Sequence, residues 1–123
     1  MKGRLFLVHW NAEAAAERAC MLRDEDWFVD VESVDGATAY QVIQTEMPDV
    51  VLIDLSRKPS HGREIARSLR ESSKTRELPI VFVDGDEIAI KKVRSRVPDA
   101  LFTTWDEVIN VLAGFTRPED SKV

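Results

Sequence analysis

Three apolar runs punctuate the chain without a polar break: Leu5 to Val8 (LFLV), Val50 to Ile53 (VVLI) and Ile80 to Val83 (IVFV). All are rich in β-formers, and continuous runs of this length predict strands buried on both faces. A further segment, 27–33 (WFVDVES), alternates instead, setting Trp27, Val29 and Val31 against Asp30 and Glu32. One of its faces meets water, which predicts an edge strand. The last, Ala100 to Thr104 (ALFTT), is short and only partly apolar, and suits the opposite edge.

Between these segments the apolar period lengthens to that of a helix. Ala12, Ala15, Ala16, Ala19 and Leu22 form one stripe, and Ala39, Val42, Ile43 and Met47 a second. Ile65, Ala66 and Leu69 follow, then Ile90, Val93 and Val97, then Val108, Leu112 and Phe115. Each stripe is wide enough to seat a helix on a sheet. Asn11, Asp35, Asp84 and Thr104 stand where N-caps belong, and Glu87 and Glu107 would complete capping boxes with the last two. Residues 1–115 therefore predict one domain, and 116–123 (TRPEDSKV) a flexible C-terminal tail.

Strict alternation of strand and helix with short loops implies right-handed crossovers and a parallel sheet covered on both faces. With the half-polar second strand at one edge and the weak fifth at the other, the order is 2-1-3-4-5. The predicted fold class is α/β: a flavodoxin-like (βα)5 doubly wound parallel sheet in three layers. Such folds bind ligands beyond the carboxyl ends of the strands where the order reverses, between strands 1 and 3. Asp54 closes the third strand there.

Composition narrows the class without changing it. The 123 residues, 44% hydrophobic and 32% charged, fit one globular domain. A net charge of -5 argues against nucleic acid or a membrane surface as the partner. The single cysteine, Cys20, cannot form an internal bridge, and no run is long enough for a signal-peptide core or a membrane span. The expectation is a mature, cytoplasmic chain with no output domain of its own.

The remaining strand ends carry His9, Trp10 and Asn11 after the first strand, Asp84 and Gly85 after the fourth, and Thr103, Thr104 and Trp105 at the fifth. No glycine-rich phosphate loop follows the first strand, which removes the main support for nucleotide binding. Three segments, PDVVLIDLSRKPSHG (48–62), LPIVFVDG (78–85) and PDALFTTW (98–105), carry a resemblance. To about Phe115 the chain is similar to response-regulator receiver domains of the CheY type. The resemblance implies two-component signalling, no catalytic enzyme, and Asp54 at the phosphoacceptor position.

The same resemblance makes the departures legible. Family members end the first strand in an acidic pair that holds Mg²⁺, and here His9 and Trp10 stand there. A lysine followed by proline ends their fifth strand, where this chain has Thr104 and Trp105, and a small hydroxyl residue ends their fourth, where it has Asp84. Phosphoryl transfer to a carboxylate needs cations to neutralise the transferring oxygens. Asp84 adds an anion instead, and two charges about 4 Å apart at an effective dielectric near 20 repel by about 4 kcal/mol.

The reading is a single-domain receiver-like signalling protein that acts through protein contacts with weak or no aspartyl phosphorylation, a pseudo-receiver. No cofactor is expected, Mg²⁺ entering only if Asp54 is phosphorylated. Trp10 and Trp105 are expected to plug the mouth, Trp10 filling the metal's place. One alternative is a phosphorelay receiver that uses Asp54. Another is a small-ligand or metal module built on His9, Asp54 and Asp84. His61 is expected to be solvated, and Arg63, Arg67 and Arg70 to form a charged stripe with Glu64 and Glu71. Lys91, Lys92, Arg94 and Arg96 cluster on the fourth helix. In receiver domains the fourth helix, fifth strand and fifth helix engage partners, which implies a histidine kinase, an effector or a homodimer here.

Overall fold

Strand β3 (Val50–Asp54) is the middle of a five-stranded sheet, and every residue in it is buried. In the computed structural model, which describes residues 1–117, it is flanked by β1 (Gly3–Val8) and β4 (Ile80–Val83), with β2 (Trp27–Glu32) and β5 (Leu101–Thr103) at the edges. All four pairings are parallel and the order is β2-β1-β3-β4-β5. The register sets Val8 opposite Ile53 and Asp54 opposite Val83, which aligns three carboxyl ends at one pole of the sheet.

Five helices cover the two faces: α1 (Ala12–Asp24), α2 (Gly36–Glu46), α3 (Pro59–Glu71), α4 (Glu87–Arg96) and α5 (Val108–Leu112), the last followed by a 3-10 turn at Ala113–Phe115. One core joins Ala39, Ile43, Ile65, Leu69, Val93 and Val97 of α2, α3 and the fourth crossover to Phe6, Ile53 and Phe82 of the sheet. The other joins Ala19, Leu22, Val108 and Leu112 of α1 and α5 to Leu5, Leu52 and Val81. The adjacent residues Leu52 and Ile53 serve opposite cores because successive strand side chains point to opposite faces.

Several local expectations need correction. Ala12 and Ala16 are exposed, so the α1 stripe narrows to Ala15, Ala19 and Leu22. Met47 lies past α2, in a left-handed C-cap (φ 47°), and is 38% exposed. Asp84 does not cap α4: it takes φ 61° and Gly85 follows at 96°, so the chain turns and Asp86 becomes the cap, accepting from the Ala89 amide at 2.8 Å. Thr104 accepts from the Glu107 amide at 3.3 Å, but it caps a turn, and α5 begins only at Val108. Asn11 and Asp35 cap α1 and α2 as expected.

Residues 118–123 of the expected tail lie outside the described residues. At its start, the Arg117 amide donates to the Lys2 carbonyl at 2.7 Å, and its Nε donates to Asp49 Oδ2 at 2.8 Å.

Candidate functional site

Asp54 is 2% exposed, and both its oxygens are occupied. Oδ1 accepts from the Ser56 amide at 2.8 Å and from the Ser56 hydroxyl, the turn that a D-x-S sequence favours after a strand. Oδ2 accepts from the indole Nε1 of Trp105 at 2.7 Å. His9 Nε2 stands 3.5 Å from the same oxygen. Trp105 thus reaches back from the β5–α5 loop to put a neutral donor on a buried carboxylate.

The imidazole of His9 is oriented from its other side. The Asn11 amide donates to His9 Nδ1 at 3.3 Å, so Nδ1 is unprotonated and Nε2 carries the hydrogen that faces Asp54. Burial holds the His9 pKa below its ordinary 6.5, opposed by Asp54, reinforced by the Arg18 and Arg57 cations, and opposed again by Asp84. The ring lies nearly parallel to Trp105, with interplanar angle 18° and centroids 6.3 Å apart. On Trp105 the Arg18 guanidinium lies 4.7 Å from the ring centroid.

Trp105 is also held by its backbone. Its amide donates to Asp84 Oδ1 at 3.4 Å, and the Asp84 amide donates to the Thr103 carbonyl at 2.9 Å. A pocket of about 290 Å³ remains over the strand ends, lined by His9, Arg18, Asp54, Arg57, Asp84 and Trp105 among others.

The expected constellation of His9, Trp10, Asp54, Asp84, Thr104 and Trp105 is therefore only partly assembled. Trp10 is not at the mouth and fills no metal position. It packs into the α2–α3 core, its ring edge-on to His61 at 5.6 Å between centroids. Its Nε1 is buried without a hydrogen-bond partner among the described residues. Thr104 is exposed and does not line the pocket. Sequence reasoning missed Arg18 and Arg57; Arg18 has only its place on α1 to signal it.

Mg²⁺ does not fit the donor set. No carboxylate follows β1: the His9 Nε2 side faces Asp54, and Trp10 turns away into the α2–α3 core. Among the described residues no three His, Cys, Asp or Glu side chains are grouped to hold a metal, so His9, Asp54 and Asp84 share a pocket but form no ligand cluster.

Away from this pole, Lys91, Lys92, Arg94 and Arg96 are exposed on α4, and none forms an ion pair among the described residues. Arg94 stacks on Phe102 of β5 at 4.7 Å, beside Ile88 (65% exposed). The α3 stripe divides: Arg67 pairs with Glu64 and Glu71, but Arg70 leaves it to reach Asp99 and the Leu78 carbonyl. His61 is exposed, with the Trp10 contact on one side. No helix among the described residues is long and apolar enough to cross a membrane.

No known family model matches the sequence. Over 80 residues, 63% of the chain, it is 29% identical to the response regulator PleD of Caulobacter vibrioides. Over 80 residues, 65% of the chain, it is 26% identical to the phosphate regulon transcriptional regulatory protein PhoB of Escherichia coli. The match spans 18% of PleD and 35% of PhoB. Among solved structures, the chemotaxis response regulator CheY4 of Vibrio cholerae superposes with a TM-score of 0.75 at 18% identity, covering 94% of this chain and 99% of that one. The signal receiver domain of a Bermanella marisrubri response regulator gives 0.76 at 21% identity, covering 91% and 96%. These likenesses establish the fold.

Proposed function

We propose that this CheY-like receiver domain signals through protein contacts while Asp54 stays unphosphorylated, its carboxylate serving as a structural anchor for the β5–α5 loop. The observation that carries the reading is the Trp105 to Asp54 hydrogen bond. An oxygen that must attack phosphorus here accepts a 2.7 Å bond inside the protein, beside a second oxygen held by Ser56. The groups that touch Asp54 are neutral donors, and the two cations lining its pocket, Arg18 and Arg57, form no hydrogen bond or ion pair with it among the described residues, whereas transfer depends on neutralisation at the acceptor. Trp105 follows the position of the family's lysine and supplies a hydrogen bond without the charge.

The contact surface we assign is α4 with the adjoining β5, where Lys91, Lys92, Arg94 and Arg96 carry positive charge and form no ion pair among the described residues. A surface of that sign on a chain of net charge -5 suits an acidic partner.

The test is incubation of the protein with a small-molecule phosphodonor and Mg²⁺, followed by intact-mass measurement beside Asp54→Asn. The expected result is no adduct in either protein. A stoichiometric adduct that Asp54→Asn abolishes would establish the phosphorelay reading instead.

A further inference from the structure

We propose that the chain associates head to tail with a second copy of itself, the basic face of α4 on one molecule seating in an acidic groove beside β2 of the next. The proposal rests on the reading of this domain as a protein-contact module and names its partner.

The groove exists because α2 leaves part of β2 uncovered. Ala39 and Ile43 of α2 are fully buried in the core, yet Phe28 of β2, on the same side of the sheet, stays 37% exposed. The result is a depression of about 380 Å³ with Phe6, Phe28 and Val42 in its lining and Asp30, Glu32 and Glu46 around them. Arg4 meets this rim, pairing with Glu46 at 3.0 Å and stacking on Phe28 at 4.6 Å. Asp30 and Glu32 form no ion pair among the described residues. An apolar floor edged by Asp30 and by Glu32, whose Oε2 accepts from the Val34 and Asp35 amides, still carries excess negative charge and fits a surface that is apolar and basic together.

The α4–β5 surface has that composition. Ile88 and Ile90 supply the apolar contact beside Arg94 and Phe102, and the four cations of α4 outnumber Glu87 on that face. The two patches sit toward opposite edges of the sheet, β2 and β5, so one molecule cannot bring its own together. A two-fold dimer through α4 would instead set like charges face to face, an arrangement that disfavours the wrong pairing. Patch against complementary patch is a heterologous contact, and such a contact propagates unless the rotation between neighbours closes a ring.

The experiment is sedimentation velocity on the full chain from micromolar to millimolar concentration, without phosphodonor, at low and at high salt. Association is expected to rise with concentration and to weaken at least about tenfold at high salt, because exposed charges are screened there. Two double variants separate the geometries: Lys91→Glu with Arg94→Glu, and Phe28→Ala with Asp30→Lys. Each alone should associate at least about tenfold more weakly, and an equimolar mixture, retaining one intact patch of each kind, should form a dimer that does not extend. Thermal melts of both variants within a few degrees of the parent exclude misfolding as the cause. If the Phe28→Ala, Asp30→Lys protein dimerises as well as the parent, the contact is two-fold through α4 and the proposal fails. A parent monomeric at every concentration also overturns it, and leaves the reading of Asp54 to its own mass measurement.

Discussion

Trp105 Nε1 donates to Asp54 Oδ2 at 2.7 Å across 51 positions of sequence, joining the end of the central strand to the loop after the edge strand. A second indole N–H, that of Trp10, is buried with no partner among the described residues. The same substitution at the two sites should therefore act in opposite directions. Trp105→Phe removes a hydrogen bond to a buried carboxylate and should cost about 2 to 3 kcal/mol. Trp10→Phe removes an unpaired donor, and the relief offsets the smaller ring, so stability should stay within about 1 kcal/mol of the parent or rise. Urea denaturation with an unchanged m-value reads both.

His9 should make stability depend on pH. Burial holds its folded pKa below the ordinary 6.5, so the unfolded chain takes up the proton first as pH falls. Stability from this group is complete above about 6.5 and is lost as pH drops from there through the folded value. His9→Gln should flatten that part of the urea-midpoint profile. The His9 imidazole resonances of the parent should titrate below 6.5.

Gly62 of α3 sets helix propensity against packing. Alanine gains about 1 kcal/mol of helix propensity over glycine. A Cβ at this position, however, would stand 2.6 Å from Ile53 Cγ2 of β3, where nothing flexible can yield. Overpacking of a tight core costs about 1 to 3 kcal/mol, so Gly62→Ala should destabilise on balance. A rise in melting temperature would show that α3 can lift from the sheet.

Arg70 holds α3 to the loops that precede β4 and β5 by bonds to Asp99 at 3.1 and 2.8 Å and to the Leu78 carbonyl at 2.7 Å. Since Asp99 is exposed, much of the ion pair is screened, and Arg70→Ala should cost about 1 to 2 kcal/mol. Arg70→Lys should recover less than half of that in chemical denaturation, because an ammonium lacks the planar fork that serves three acceptors at once.

The sheet was legible because β1, β3 and β4 are buried on both faces and say so in unbroken apolar runs, while Asp30 and Glu32 mark β2 as an edge. The position of Asp54 followed from that order alone. What the chain did not disclose depends on the direction of single side chains. His9 and Trp10 are consecutive at a strand end, where alternation sends neighbours to opposite faces; one reaches Asp54 and the other the α2–α3 core. The alternation was a usable signal against a shared mouth. Asp84 and Asp86 differ as caps only through the left-handed turn at 84 and 85, a backbone event that residue types permit but do not dictate.

The brevity of β5 and α5, three and five residues, sets two clocks for solvent at Asp54. The amides of β3 are paired on both sides and buried, so they should exchange with deuterium only when the whole domain opens. The indole hydrogen of Trp105 hangs from a segment that can release alone. Water should therefore visit the carboxylate far more often than the strand bearing it comes apart, and the gap between those two exchange rates measures how firmly a single loop keeps Asp54 shut.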